Sequence, residues 1–438
     1  MAESVYDLCV IGAGMFGSSA ARHASANPSI KVCLVGPAEP TADELPKREI
    51  FGAHYDEGRI TRVLDEAPAC QVLSQHSISR YRELEKLSGI KFYEPVGCLF
   101  TGPKHGSFMQ GCLSSGAVHK VPLVEMAGIG ETFKSRYPYL KLKSDEFVLL
   151  DDNGGGHISP RNFVAAQKKV ARLQGCHIIE AVVCGTETLS DGIHVVKTET
   201  KGEIKAKRLL IATGGFVNMK NLDVLKPLLV RCFKDTVVLL KIPEDEVQRL
   251  SSMPSMISLR DTNEGQIGAY ILPPIKYPDG QYYLKFGRSH HREDKDELKT
   301  LEEIREWYLS DGDKEMEEPY VKFVSELIPD KFREEFQLLS SSQLVHHGFL
   351  SVSRTARIST RLGLRTAFKI SSCEFNLDSN RILIDSLISE NSSLRTPLIC
   401  SLRGVAERLA SMSLFDVEIN SANTNCLLFP LHHLEKAQ

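Results

Sequence analysis

The sequence predicts an α/β fold divided between two domains, on three observations. The chain opens on a strand–turn–helix–strand unit built around Gly12-Ala13-Gly14-Met15-Phe16-Gly17. It runs to 438 residues, past the ~250–300 at which a single hydrophobic core stops growing. A block from about Val237 to Gly287 is rich in alternating and aromatic residues, as antiparallel strands are.

Composition narrows the class further. With 42% hydrophobic and 25% charged residues the chain reads as globular, and disordered, collagen-like and coiled-coil chains are excluded. The 53 basic residues nearly balance the 56 acidic ones, so nothing suggests the basic stripe that nucleic acid requires. No apolar run is long enough for a transmembrane helix, and MAESVYDLCVIGAG lacks the basic start of a secretory leader. The 11 cysteines form no CxxC pair, which argues against a zinc site or a disulfide framework. An intracellular, cytoplasmic location follows as the expectation, with the peroxisome as the alternative although the C-terminal EKAQ is not an SKL-type address.

Element by element, Tyr6 to Ile11 suits a buried parallel strand, SSAARHAS continues the glycine turn as a helix, and Lys31 to Val35 is the second strand. Cys70 to Leu87 carries helical periodicity. From Ser159 to Gly175 the punctuation of a helix is complete: a Ser cap, Pro160 at the first position and Gly175 past the end. RLLIA, within Glu203 to Asn218, reads as a strand running into Thr213-Gly214-Gly215-Phe216. AYILPPIKY and QYYLKFG flank Pro278-Asp279-Gly280 as a hairpin. Charged helices are expected near Leu298 to Leu309 and Lys314 to Leu327, and beyond about Asp330 no pattern is readable.

The chemistry starts at the glycines. Gly12 permits the tight turn, Gly14 lets the backbone approach a pyrophosphate, and Gly17 allows helix and strand to pack closely. The helix N-terminus that follows favours phosphate. An acidic residue usually ends the second strand and holds the ribose, but here Gly36-Pro37-Ala38 follows Val35. Glu39 or backbone groups remain for that task. In Gly52-Ala53-His54-Tyr55-Asp56-Glu57-Gly58-Arg59-Ile60-Thr61-Arg62, the two arginines can share one face of a helical turn and fork a carboxylate. Equally, they can form salt bridges with Asp56, Glu57 or Asp65. Lys285 sits among bulky residues in Tyr282-Tyr283-Leu284-Lys285-Phe286, an unusual place for a cation unless it is an edge-strand lysine reaching to solvent. His346-His347 and His432-His433 lack further ligands at sensible spacing, so no metal is expected.

Taken together, GAGMFGSSAA and GAHYDEGRITR, followed in order by Gly97 in EPVGCLF, Arg136-Tyr137-Pro138, GGGHISP, the strand Ala181-Val182-Val183, ATGGFVN, YILPP and YYLKFG, resemble the monomeric sarcosine oxidase branch of the D-amino-acid-oxidase-like flavoproteins. The likeness covers about residues 5 to 330 and extends to N-methyl amino acid and pipecolate oxidases. It implies a doubly wound FAD-binding, Rossmann-like domain from residues 1–90, 145–220 and 345–438. An α+β substrate domain with an antiparallel sheet would come from 91–144 and 221–344. Gly12, Ala13, Gly14, Met15, Phe16 and Gly17 would hold the FAD pyrophosphate, with Val183 making backbone contacts near the adenine. Arg59 would lie beside the isoalloxazine, Arg62 would bind the substrate carboxylate, and His54 or Tyr55 would take the neighbouring aromatic position. Lys285 would help the reduced cofactor react with oxygen.

For function, the resemblance implies oxidation of the C–N bond of a secondary amine or N-methyl amino acid to an imine, by a monomer that reduces oxygen to hydrogen peroxide. Two other readings stand beside it: a flavin dehydrogenase with another electron acceptor, and a non-catalytic relative with a disrupted flavin clamp. The second draws on the last hundred residues, where the family's flavin-linking cysteine and carboxylate-binding lysine find no good match. Cys373 resembles the former only locally, and Arg395 is a candidate substitute for the latter. Gly404 to Leu409 is similar to the family's final helix.

Overall fold

A computed structural model describes residues 5–329 and 344–353, apart from 119, 128–129, 225–227, 229, 263–264, 290–295 and 314–316. Four sheets organise them. In the first, Leu209–Ile211, Leu8–Ile11, Val32–Val35 and His177–Ile179 lie side by side, all parallel. Leu8–Ile11 and Val32–Val35 are buried at every position because both faces of this sheet are covered. On one face Leu8, Val10 and Leu34 pack with Ala21 of helix Met15–Ser25 and Ala171 of helix Pro160–Leu173. On the other, Cys9, Ile11, Cys33 and Val35 meet Val183, Val196 and Ile204. Those three belong to the meander Val183–Thr188, His194–Thr198 and Glu203–Ala206, whose first strand also pairs with Asn221–Leu222.

The largest sheet joins nine described strands. Its order is Glu297–Leu298, Arg231–Ile242, Tyr282–Ser289, Gly265–Lys276, Ser255–Thr262, Cys98–Pro103, Glu146–Asp151 and Val124–Ala127, with Leu344–Ser353 also paired to Arg231–Ile242. Every pairing is antiparallel except that of Ser255–Thr262 with Cys98–Pro103. Arg59–Thr61, Gly156–Ile158 and Tyr93–Glu94 form a fourth, small sheet. The expected combination of a Rossmann-like parallel sheet with a large antiparallel one is present. Among the described residues no helix is long and apolar enough to cross a membrane.

Expectations hold where the signal is local. Ser159 accepts from the Asn162 amide at 3.2 Å, Pro160 opens the helix, and Gly175 follows it at φ +89°. The hairpin closes through the Gly280 amide, which donates to the Tyr277 carbonyl at 2.9 Å. Pro273-Pro274 coincides with a register shift in its first strand, as residues without an N–H require.

Four expectations need correction. Cys70 to Leu87 is two helices, Pro68–Ile78 and Tyr81–Ser88, and the Ser79 hydroxyl donates back to the His76 carbonyl where the first one ends. Leu298 ends a short strand, and the helix begins at Leu301 behind a Thr300–Glu303 capping box. Ala181 and Val182 precede the strand that starts at Val183. Arg59 lies in a strand and not in a helical turn, so the spacing of three that would align it with Arg62 on a helix does not do so here. Cys373, Arg395, Gly404 to Leu409 and His432-His433 lie outside the described residues.

Candidate active site

The glycine turn is shaped by close approach. Gly12, at φ +104°, lies where a Cβ would fall 2.3 Å from the Ala212 carbonyl oxygen, just past the Leu209–Ile211 strand. A Cβ on Gly14 would meet only His54 Nδ1, at 3.8 Å, so the turn is open on that side. Gly14 caps the helix without a side-chain bond, and no acidic residue stands in the first turn. The helix end therefore offers amides and a partial positive charge suited to phosphate.

Polar atoms in the surrounding segments lack partners. His54 Nδ1, beside Gly14, and Thr213 Oγ1, on the residue next to Gly12's contact Ala212, are buried with no hydrogen-bond partner among the described residues. Buried polar groups normally find one, so these atoms suit a polar ligand laid along the turn. The residues present fit a dinucleotide such as FAD. Burial, reinforced by the charges of Lys168, Arg59 and Arg161, pushes the His54 pKa down to about 3, so its ring is neutral at ordinary pH. Tyr55 turns elsewhere, its hydroxyl donating to the Ala38 carbonyl at 3.3 Å. Of the two residues considered for the aromatic position, His54 is the one beside Gly14.

Glu39 is gripped by Arg161, which donates to its two carboxylate oxygens through Nε and Nη2 at 2.8 Å each. Arg161 also binds Glu57, whose other oxygen accepts from Ser159 at 2.8 Å. The helix Pro160–Leu173 thereby anchors both the segment after the second strand and the one leading to Arg59. Val183 is buried in the core between parallel sheet and meander. Phe16 is exposed at the start of its helix.

The second half of the site is a buried charge cluster. Lys285 is 3% exposed on an interior strand of the large sheet, which removes the solvent-reaching edge-strand reading. Its ammonium donates to the Asp56 carboxylate and, at 2.9 Å, to the Gly58 carbonyl. The Tyr277 hydroxyl donates to the other Asp56 oxygen at 3.0 Å. Burial alone would raise the Asp56 carboxyl, but the charges of Lys285 and Arg59 and the two hydrogen bonds hold it below the usual carboxylate range. Burial lowers the Lys285 ammonium, against the opposing pull of Asp56.

Arg59 is 7% exposed and donates to the Ala53 carbonyl at 2.8 Å, with a second contact to Met15 Sδ at 3.8 Å. It thus ties the charge cluster to the glycine turn. Arg62 instead pairs with Asp65 at 2.7 Å, one of the salt bridges anticipated for it. Gly58 is close-packed: a Cβ there would meet Ile275 and Leu272 at 2.7 and 2.8 Å. Sequence reasoning misses Asp56 and Tyr277 as members of the site. The sequence offers Asp56 only as a salt-bridge partner for the nearby arginines, and no local pattern joins it to Lys285 or Tyr277.

Residues 7–338 match the family model described as DAO, FAD dependent oxidoreductase. The chain is 30% identical over 213 residues to monomeric sarcosine oxidase of Streptomyces avermitilis, covering 48% of this chain and 52% of that protein. It is 23% identical over 214 residues to N-methyl-L-tryptophan oxidase of Yersinia pestis, covering 48% and 54%. The chain spans about half the length of the curated relatives it matches. Among solved structures, NikD, an unusual amino acid oxidase essential for nikkomycin biosynthesis, superposes with a TM-score of 0.60 at 16% identity over 81% of this chain and 83% of that one. L-Proline dehydrogenase from P. horikoshii gives 0.60 at 15% identity over 85% and 87%. At those identities the structural likeness is one of fold. Since the family match spans the glycine turn, Arg59 and Lys285 alike, the chain belongs to the DAO family of FAD dependent oxidoreductases.

Proposed function

We propose that the chain is an oxidase of a secondary amine or N-methyl amino acid, sarcosine- or pipecolate-like, that forms an imine and passes the electrons to oxygen as hydrogen peroxide. The observation that carries the reading is a buried pair of cations, Arg59 in contact with Met15 of the glycine turn and Lys285 bound to the carbonyl of Gly58, the residue before Arg59. FAD, when bound, supplies two-electron oxidation of a carbon–nitrogen bond.

The chain's own residues would bind and orient. Gly12, Ala13, Gly14, Met15, Phe16 and Gly17 would hold the pyrophosphate through main-chain amides, and Val183 would contribute backbone on the adenine side. Arg59 would favour negative charge developing beside the turn. Lys285 would do the same for oxygen as it is reduced. Arg62 would take the substrate carboxylate in exchange for Asp65, while neutral His54 would offer hydrogen bonding without charge. Residues 1–90 and 152–220 would supply most of the cofactor domain of an intracellular monomer, while the large sheet, which takes in Glu146–Asp151 and Leu344–Ser353, would face it as the substrate domain.

The test is Lys285→Met with the two half-reactions measured separately. Anaerobic reduction by substrate stays near the wild-type rate, and reoxidation by oxygen slows by roughly 100-fold or more. Equal losses in both would remove Lys285 from the oxygen step. A dehydrogenase reading is favoured by one observation, the pairing of Lys285 with Asp56, which offsets its charge. Turnover with an artificial dye far above that with oxygen would establish it.

A further inference from the structure

We infer that Asp56 is the positioning residue for Lys285, holding its ammonium in place and keeping it protonated inside the protein. The argument is geometric. Lys285 lies in mid-strand, flanked in register by Leu239 on one neighbour and Leu272 on the other. An ammonium in such surroundings loses its proton unless a counter-charge is close. Asp56 supplies that charge, and its carboxylate is itself fixed by the Tyr277 hydroxyl. Gly58, two residues on, adds a carbonyl acceptor, and its missing side chain lets the loop come this close to Ile275 and Leu272.

Among the described residues, Asp56, Arg59 and Asp235 are charged groups that act on Lys285. Arg59 works against the proton, while Asp56 and Asp235 favour it. Asp56 acts both through its charge and through a hydrogen bond to the ammonium. Burial and the Asp56 carboxylate hold the Tyr277 phenol above its usual value, so it stays neutral and leaves the balance of charge to the others. Asp56→Asn keeps the shape and removes the charge, so Lys285 should give up its proton at a lower pH.

The inference rests on the proposed oxidase reading only for its consequence, so the test begins without turnover. In full-length protein labelled with carbon-13 at the lysine ε position, the Lys285 signal is identified by its loss in Lys285→Met. Its titration midpoint should fall by roughly 1–3 pH units in Asp56→Asn. A midpoint unchanged or raised overturns the inference. Should Asp56→Asn fail to fold, the double variant Asp56→Asn/Lys285→Met, which removes the stranded ammonium, recovers folding if the two are coupled. No recovery overturns the inference. Reoxidation by oxygen then separates the two claims. In Asp56→Asn its rate should decline with rising pH around the lowered midpoint, with no such decline in anaerobic reduction. A lowered midpoint with a flat reoxidation profile leaves the Asp56 inference standing and removes the oxygen role proposed for Lys285.

Discussion

Gly17 stands so close to Gly12 that a Cβ on it would lie 1.7 Å from the Gly12 carbonyl oxygen, whereas a Cβ on Gly14 would find only His54 Nδ1, at 3.8 Å. The two substitutions therefore separate packing from ligand binding. Gly17→Ala should destabilise the protein with or without FAD, by about 1–3 kcal/mol or more, because backbone must move to admit the methyl group. Gly14→Ala should leave the melting temperature of the FAD-free protein nearly unchanged and weaken FAD binding. Melting curves with and without FAD, together with the bound-flavin absorbance, decide it. Equal effects of the two variants on the FAD-free protein would contradict the contrast.

This turn is legible in the sequence because its demands are local, and so are the helix from Pro160 and the hairpin at Gly280. Each rests on residues close together along the chain. The Asp56–Lys285 bond joins residues 229 apart, and no local rule connects them. The helical reading of Arg59 and Arg62 fails for a different reason. A spacing of three aligns side chains only on a helix, and the intervening Ile60 and Thr61, both β-branched, favour the strand that forms.

Arg62 has an alternative partner already in place. Its bond to Asp65 at 2.7 Å, with both side chains largely buried, means that a substrate carboxylate would compete with Asp65 for the same guanidinium. Removing the arginine and removing its competitor should thus act in opposite directions. Arg62→Met should raise KM for a carboxylate-bearing substrate by roughly 10–100-fold, the range for a lost charged hydrogen bond of about 1.5–3 kcal/mol. Asp65→Asn should lower KM or leave it unchanged. A KM that rises as much in Asp65→Asn as in Arg62→Met would assign Arg62 to structure alone.

The Arg161 clamp gives a stability prediction of smaller size. Its bonds to Glu39 lie between side chains 28% and 35% exposed, so solvent screens the attraction. Glu39→Gln should therefore cost about 1 kcal/mol or less by chemical denaturation. Arg161→Met should cost more, since it also strips a partner from Glu57, whose side chain is 14% exposed. If Glu39 additionally reaches the ribose, Glu39→Gln will weaken FAD binding beyond what its small stability change explains. Isothermal titration of the FAD-free protein measures that difference.

His54 sets an acid limit. Its pKa of about 3 in the folded protein lies below the ~6.5 of an unfolded chain, because burial and the nearby cations disfavour its charged form. Between those two values the unfolded chain binds the extra proton, so stability rises with pH across the window and is lost as pH falls through it. The loss approaches ~1.4 kcal/mol for each pH unit below about 6.5, and it levels off near pH 3. Asp56, held low in the folded state, adds its own acid loss below the ordinary carboxylate pKa, as its salt bridge is protonated. His54→Gln isolates the first contribution, since glutamine has a polar amide that does not titrate here. Its stability should fall less steeply than that of the wild type between about pH 6.5 and 4.5, and the two slopes should converge above about pH 7. Parallel curves throughout the acid range would mean that the folded protein accommodates a protonated His54.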